Sequence, residues 1–286
     1  MAIREKIERG EFFCAPGIPD MITAVIAREI GFDAVYASGY WSSASAFGLP
    51  DAGIATYTQM LDRVTTLVNT IGDKSAVIAD ADTGYGGLLN VRETVRGYER
   101  AGAQVIQFED QEFPKKCGHT RNKRIESSDT MVTKVRVAVD SRSAADTLIA
   151  ARTDAYQSEG LDGVMRRLDA YIEAGADIIF PEALATEEEM RKVCETFDVP
   201  VMANMADGGD TPILDADTLA DIGFAFAIFP ATAALSAAAA VKRALTRLKT
   251  TGTSVHDDIE LFDFNQFCTL IGFEDVWEFE KKWHQP

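Results

Sequence analysis

The chain is short of basic residues: 28 lysines and arginines stand against 45 aspartates and glutamates, for a formal net charge of −17. A surface that acidic repels phosphate backbones, which excludes nucleic acid as a partner class. The excess acid reads as a solubility feature and leaves the sign of any one pocket open. Long apolar runs are also missing. Nothing approaches the roughly 18 consecutive apolar residues that span a bilayer, and Ala231–Val241, apolar and alanine-rich, is too short. Met1–Gly10 is charged and has no apolar h-region, so no secretory signal is expected. Cysteine is scarce: Cys14, Cys117, Cys194 and Cys268 lie far apart without metal-ligand spacing. They are expected to be reduced thiols in a cytoplasmic protein. Cys117 alone lies in a polar, basic segment.

What the chain has is hydrophobic residue, 47% of 286 positions, enough for a large core. Short apolar or β-branched runs recur at Phe12–Ala15, Ala34–Ala37, Ser75–Ala79, Gln104–Phe108, Thr147–Ala150, Asp177–Phe180, Val199–Ala203 and Phe224–Phe229. Between them lie segments with apolar positions three or four apart, such as Thr56–Asn69, Val91–Arg100, Leu161–Ala174 and Glu187–Phe197. The phrases REIGFDAVYAS, ERAGAQVIQF and IEAGADIIFP each put a glycine where a helix needs a left-handed cap, then begin a buried strand. Eight βα units predict an α/β fold, a closed (β/α)8 TIM barrel; a doubly wound open sheet is the alternative. We place the barrel at residues 1–252 and a C-terminal helical extension at 253–286. The extension carries Leu261, Phe262, Phe264, Phe267, Leu270, Phe273, Trp277, Phe279 and Trp283. So many aromatics need cover, either on the barrel's own surface or on a neighbouring subunit.

Barrels of this kind do chemistry at the C-terminal ends of their strands. Six strands end in polar residues: Ser38-Gly39, Asp80 to Gly86, Glu109-Asp110, Arg152-Thr153-Asp154, Pro181-Glu182 and Asn204. That convergence is the mark of an enzyme rather than a purely structural barrel. Asp80 and Asp82 flank Ala81, which in an extended chain puts both on one side. With Glu109 they are expected to form a three-carboxylate cluster whose repulsion a hard divalent cation, Mg2+ or Mn2+, would relieve. Helix capping, or pairing with Arg152, is the alternative use of these acids. The segment Phe113–Lys123, FPKKCGHTRNK, is long enough for a lid and surrounds Cys117 with Lys115, Lys116, His119, Arg121 and Lys123. Such cations favour a thiolate able to exchange a proton; otherwise the loop is a solvated basic one with an incidental cysteine.

KKCGH in that loop, with DADTGYGG at Asp80–Gly87, resembles the isocitrate lyase/phosphoenolpyruvate mutase superfamily. SGYWSSASAFGLPD, FEDQ, ARTDA, FPEAL and ANMADGGDTP extend the resemblance along nearly the whole chain. It implies a barrel whose eighth helix is exchanged with a partner in a homotetramer, a dimer of dimers, with Mg2+ held through Asp80, Asp82 and Glu109. Cys117, Arg152, Glu182, His119 and Lys116 are implied as catalytic, and Ser38, Gly39, Tyr40, Asp51, Gly118, Asn204 and Pro230 as substrate-binding. KKCGH marks the carbon–carbon lyases, with cysteine as the acid that protonates an enolate, and sets aside phosphonopyruvate and phosphoenolpyruvate chemistry. Tricarboxylate members usually have a hydroxyl residue where this chain has Ala206, and methylisocitrate lyases tend to have arginine where it has Leu235. NMADGGDTP and IGFEDVWEFEKKW look like the 2,3-dimethylmalate lyase, oxaloacetate hydrolase and petal-death-protein group. A malate-like, alkyl-branched dicarboxylate is therefore the expected substrate. Methylisocitrate cleavage and oxaloacetate hydrolysis or decarboxylation are the alternatives, and a non-catalytic binding barrel is the reading from another class.

Overall fold

A computed structural model describes residues 3–118, 120 and 122–284. Its eight strands are β1 (Phe13–Pro16), β2 (Ala34–Ala37), β3 (Ala76–Asp80), β4 (Val105–Glu109), β5 (Leu148–Thr153), β6 (Ile178–Pro181), β7 (Met202–Asn204) and β8 (Phe226–Phe229). Hydrogen bonding runs through β2–β3–β4–β5–β6 and through β1–β8–β7. Parallel bridges Gly17–Tyr36 and Ile179–Val201 join the two sets at both seams. The sheet is therefore a closed (β/α)8 barrel, not an open one.

The strand runs are apolar throughout because both their faces are buried. Inward residues, among them Phe13, Tyr36, Ile78, Val105, Leu148, Ile178, Phe180, Met202, Phe226 and Ile228, fill the interior. Ile3 of helix α1 (Ile3–Glu8) joins that cluster, its N–H donating to Gln104 Oε1 at 3.1 Å, and so seals the end opposite the polar rim. Outward residues such as Val35, Val77, Ile106 and Ile149 meet the helices. Those that follow are α2 (Met21–Ile30), α3 (Gly39–Phe47), α4 (Tyr57–Ile71), α5 (Leu88–Ala101), α6 (Ser128–Ser141), α7 (Tyr156–Glu173), α8 (Glu187–Thr196) and α9 (Ala216–Ile222). Their starts are local: Asp20, Thr56, Ser127, Thr186 and Asp215 each accept a backbone N–H of the first turn. The glycines of the three repeated phrases, Gly31, Gly102 and Gly175, all have φ between 88° and 101°.

Gly17 is required for a different reason. A Cβ there would lie 2.2 Å from the Pro230 carbonyl oxygen and 2.6 Å from its Cα, at the seam between β1 and β8. Gly17→Ala is expected to wedge the seam and cost about 1–3 kcal/mol, read as a lower denaturation midpoint.

The last βα unit behaves unlike the others. Helix α10 (Thr232–Thr251) buries only Ala234 and leaves Leu235, Val241, Leu245 and Leu248 exposed. After Gly252 come α11 (Phe264–Leu270) and α12 (Phe273–Trp283). α11 lies against α2, with Cys268 buried and Phe267 and Leu270 half-buried, while the other apolar side chains stay open, Phe264 at 75% and Trp283 at 62% exposure. Most of the aromatic extension leaves its own barrel uncovered.

Candidate active site

A cavity of about 260 Å³ opens at the C-terminal rim. Ser38, Tyr40, Asp51, Asp80, Cys117, Gly118, Arg152, Glu182, Asn204 and Pro230 all line it, as do Tyr36, Lys115 and Asp207. Trp41, Ala206, Ile228, Ala231 and Leu235 add apolar lining. Gly39, Asp82 and Glu109 are not in the lining but bond or approach Asp80, Lys115 and Arg152, which are; Lys116 is exposed and absent from it, and His119, like Arg121, lies outside the described residues.

The carboxylates are arranged differently from expectation. β3 ends at Asp80, and Asp82 adopts a left-handed φ of 49°, so the two do not alternate on an extended chain. The cause is the tight turn that leads into α5, closed by Gly84 N–H to the Ala81 carbonyl at 2.9 Å. Asp80 Oδ1 accepts the Asp82 N–H at 3.0 Å, and Oδ2 accepts the Gly39 N–H at 3.0 Å. A Cβ on Gly39 would stand 2.9 Å from both Asp80 Oδ2 and Asp82 Oδ1, so only glycine lets α3 begin this close to the acids. Buried Lys115 bridges Asp82 and Asp51, 2.6 Å from each. Glu109 Oε2 lies 3.6 Å from Arg152 Nε, while Oε1 is buried without a hydrogen-bond partner. Lys115 thus takes Asp82, Arg152 approaches Glu109 and backbone N–H groups hold Asp80, and among the described residues no three His, Cys, Asp or Glu side chains form a finished metal cage.

Charge is nevertheless in excess there. Burial raises Asp82 to about 7 even though Lys115 pulls the other way, and burial holds Glu109 well above the usual carboxylate range. An unpartnered buried oxygen beside hard carboxylate donors suits a hard dication. Magnesium fits such a partial donor set because it keeps several waters and takes one or two protein carboxylates.

Arg152 was expected among the catalytic residues, and an arginine's planar fork matches a carboxylate. Its fork is already taken: Nε and Nη2 donate to Asp154 at 2.8 and 2.9 Å, and Nη1 lies 3.1 Å from Glu182. The guanidinium also sits 5.1 Å from the centre of the Phe180 ring. Asn204 Nδ2 donates to both Glu182 oxygens at 3.1 Å. What the cavity receives from Arg152 is a fixed positive charge rather than an open fork.

The cysteine loop is tied down residue by residue. Gln111 accepts the Lys116 N–H at 3.0 Å and donates to the Lys116 carbonyl at 2.8 Å. That pins the backbone of Lys116 while its side chain points to solvent, and the neighbouring Lys115 turns inward. Lys123 donates to the Gly118 carbonyl and lies 3.3 Å from Asp154. Gly118 crosses directly over Arg152, where a Cβ would meet Nη2 at 2.1 Å. Cys117, half-buried, faces the cavity from this loop.

Lys115, Asp154, Lys123 and Trp41 were missed as site residues by sequence reasoning. Strand alternation would have sorted one pair: Glu109 and its neighbour Asp110 must point to opposite faces. Asp110 does turn outward, accepting from Thr153, the Asp154 N–H, Tyr171 and Arg167.

This geometry can be set beside known proteins. The family model described as phosphoenolpyruvate phosphomutase matches residues 3–249. The chain belongs to the isocitrate lyase/phosphoenolpyruvate mutase superfamily. It is 43% identical to 2,3-dimethylmalate lyase of Eubacterium barkeri, over 97% of this chain and 96% of that protein. It is 39% identical to 2-methylisocitrate lyase of Aeropyrum pernix, over 96% and 88%. A solved structure of oxaloacetate acetylhydrolase with the inhibitor 3,3-difluorooxalacetate superposes with a TM-score of 0.93 at 30% identity, over 98% of this chain and 95% of that one. Phosphonopyruvate hydrolase with oxalate and Mg++ superposes at 0.88 and 27% identity, over 99% and 98%. Within the superfamily the chain is a carbon–carbon lyase. No described helix is long and apolar enough to cross a membrane.

Proposed function

We propose that this lyase cleaves a 2-hydroxy dicarboxylate of the alkyl-substituted malate type into a 2-oxo acid such as pyruvate and a carboxylic acid. The observation that carries it is the mixed lining of the cavity, acids, Arg152 and Cys117 together with Trp41, Ile228, Ala206 and Leu235. The polar groups suit the two carboxylates and the hydroxyl, and the apolar ones suit alkyl branches. Ala206 and Leu235 offer nothing to a third carboxylate, which favours this class over methylisocitrate.

Asp80, Asp82 and Glu109 would hold Mg2+ or Mn2+, which when bound polarises the substrate's 2-hydroxyl and adjacent carboxylate; the Mg++ in phosphonopyruvate hydrolase supports that assignment. The backbone at Ser38–Gly39 borders the same end. Arg152, held by Asp154 and Glu182, supplies charge to the distal carboxylate, with Asn204 steadying Glu182. The hydroxyl proton passes to solvent water in the cavity, the C2–C3 pair passes to C3, and C2 becomes the 2-oxo carbon. The C3 enolate takes its proton from the Cys117 thiol, and the thiolate is re-protonated from solvent before the next turnover.

A substrate panel tests this. 2,3-Dimethylmalate should release pyruvate and propionate, at a kcat/KM at least about tenfold above methylisocitrate, isocitrate, oxaloacetate and phosphonopyruvate, as one or two misfitted groups in a pocket would give. Preference for methylisocitrate or oxaloacetate would replace the substrate, and phosphonopyruvate turnover the reaction itself. Gly118→Ala should lower kcat by about a hundredfold, since its methyl displaces Arg152 or the loop by an ångström or more.

The exposed apolar faces of α10, α11 and α12 support a homotetramer with exchanged C-terminal helices, and four cysteines outside any disulfide suit a cytoplasmic location. Light scattering should return four times the 31.2 kDa chain mass; a monomeric mass would remove the exchange.

A further inference from the structure

Lys123 is a loop lysine whose side chain is only 3% exposed, and Asp154 beside it is fully buried. Sequence alone put Lys123 among the loop cations around Cys117. Its Nζ reaches two places at once: the Gly118 carbonyl within the loop, and Asp154 Oδ1 at 3.3 Å on the barrel. The same Oδ1 accepts Arg152 Nη2 at 2.9 Å, while Oδ2 accepts Arg152 Nε at 2.8 Å. Asp154 is itself fixed from behind, its N–H donating to Asp110 Oδ1 at 2.9 Å. One rigid carboxylate therefore serves both the cavity's guanidinium and the loop that carries Cys117.

We propose that Asp154 and Lys123 are positioning residues that hold Arg152 and the Cys117 loop in a common register. Neither residue lines the cavity, so neither is placed to bind substrate. Burial works to raise the Asp154 carboxyl, yet Arg152 and then Lys123 bring it down to about 2, so the group stays anionic whenever the enzyme works. With Lys123 neutral, the loop loses its only charged tie to Asp154 among the described residues, and Gly118 is released from its place over Arg152. The kinetic consequences rest on the proposed lyase reaction; the coupling between loop and carboxylate does not.

The test is limited trypsin digestion of the full chain, followed by mass spectrometry at Lys116 and Arg124, both exposed on the loop. Lys123→Met and Asp154→Asn should each speed cleavage there by at least about tenfold, and the double variant should add little, the signature of one shared interaction. Lys123→Arg should keep cleavage within about threefold of the parent chain because it restores charge and donors. In turnover of 2,3-dimethylmalate, Lys123→Met should lower kcat at least about tenfold with KM changed less than about threefold, since positioning and not contact is lost. Parent-like loop cleavage in Lys123→Met overturns the proposal, as do additive effects, or cleavage that rises equally outside residues 113–124. If the parent chain turns over no acid of the panel, the substrate reading fails while the digestion still decides the coupling.

Discussion

Cys117→Ala should reduce lyase turnover by at least about a hundredfold, in line with what a positioned acid contributes, while KM stays within a few fold. The reason is placement. Among the described residues Cys117 is the one thiol lining the cavity. Cys194 is pushed up to about 12 by burial and lies on α8, outside the site. Asp51 and Glu182 on the cavity wall are already engaged, the first by Lys115 and the second by Arg152 and Asn204. Without a proton donor the enolate can only return to substrate, so the chemical step falls and binding does not. Cys117→Ser keeps the shape but offers a far weaker acid, and should lie close to alanine. A separate readout fixes the step: in deuterated water the parent enzyme incorporates deuterium at the α-carbon of the carboxylic acid product. Turnover near the parent level in Cys117→Ala would remove this residue from the reaction.

The barrel was legible because its signals are local and repeated. Three glycine-capped helix ends and eight short apolar runs agree with one another and with the closed sheet. The rim was legible for the same reason, since each polar residue follows a strand. Reading failed where the chain leaves regular geometry. Alternation could not place Asp82, because a left-handed residue follows β3 and turns the carboxylate towards Lys115. Nor could composition choose between Lys115 and Lys116; that depends on Gln111, which pins one backbone position and thereby decides which neighbour points inward. Arg152 looked free because its partner Asp154 sits only two residues on, where a strand's period of two returns it to the same face. The Asp82–Lys115 pairing joins separate segments, and no single stretch of sequence displays it; the Arg152–Asp154 pair lies within one stretch, where the nearby partner went unread.

The second large effect concerns the metal. EDTA should abolish turnover and Mg2+ or Mn2+ should restore it; activity that persists in chelator would sink the carboxylate assignment. Binding can also be read without catalysis. At about a hundred times its Kd, a dication that binds only the folded state adds about 2.7 kcal/mol, which should raise the melting temperature by about 5–10 °C. Glu109→Gln separates this from nonspecific ion effects, because it is expected to move two quantities in opposite directions. Glu109 is 1% exposed, and one of its oxygens has no hydrogen-bond partner. Burial disfavours its charged form, an imbalance that the nearby Lys115 and Arg152 reduce without removing. Taking the charge away at constant shape should therefore raise the melting temperature of the metal-free protein, while the gain on adding Mg2+ falls to less than half the parent's. A merely structural acid would show a fall in the first and no change in the second. Only a carboxylate held at a cost for a cation shows the crossed result, and its absence would leave Asp80 and Asp82 to account for the metal without Glu109.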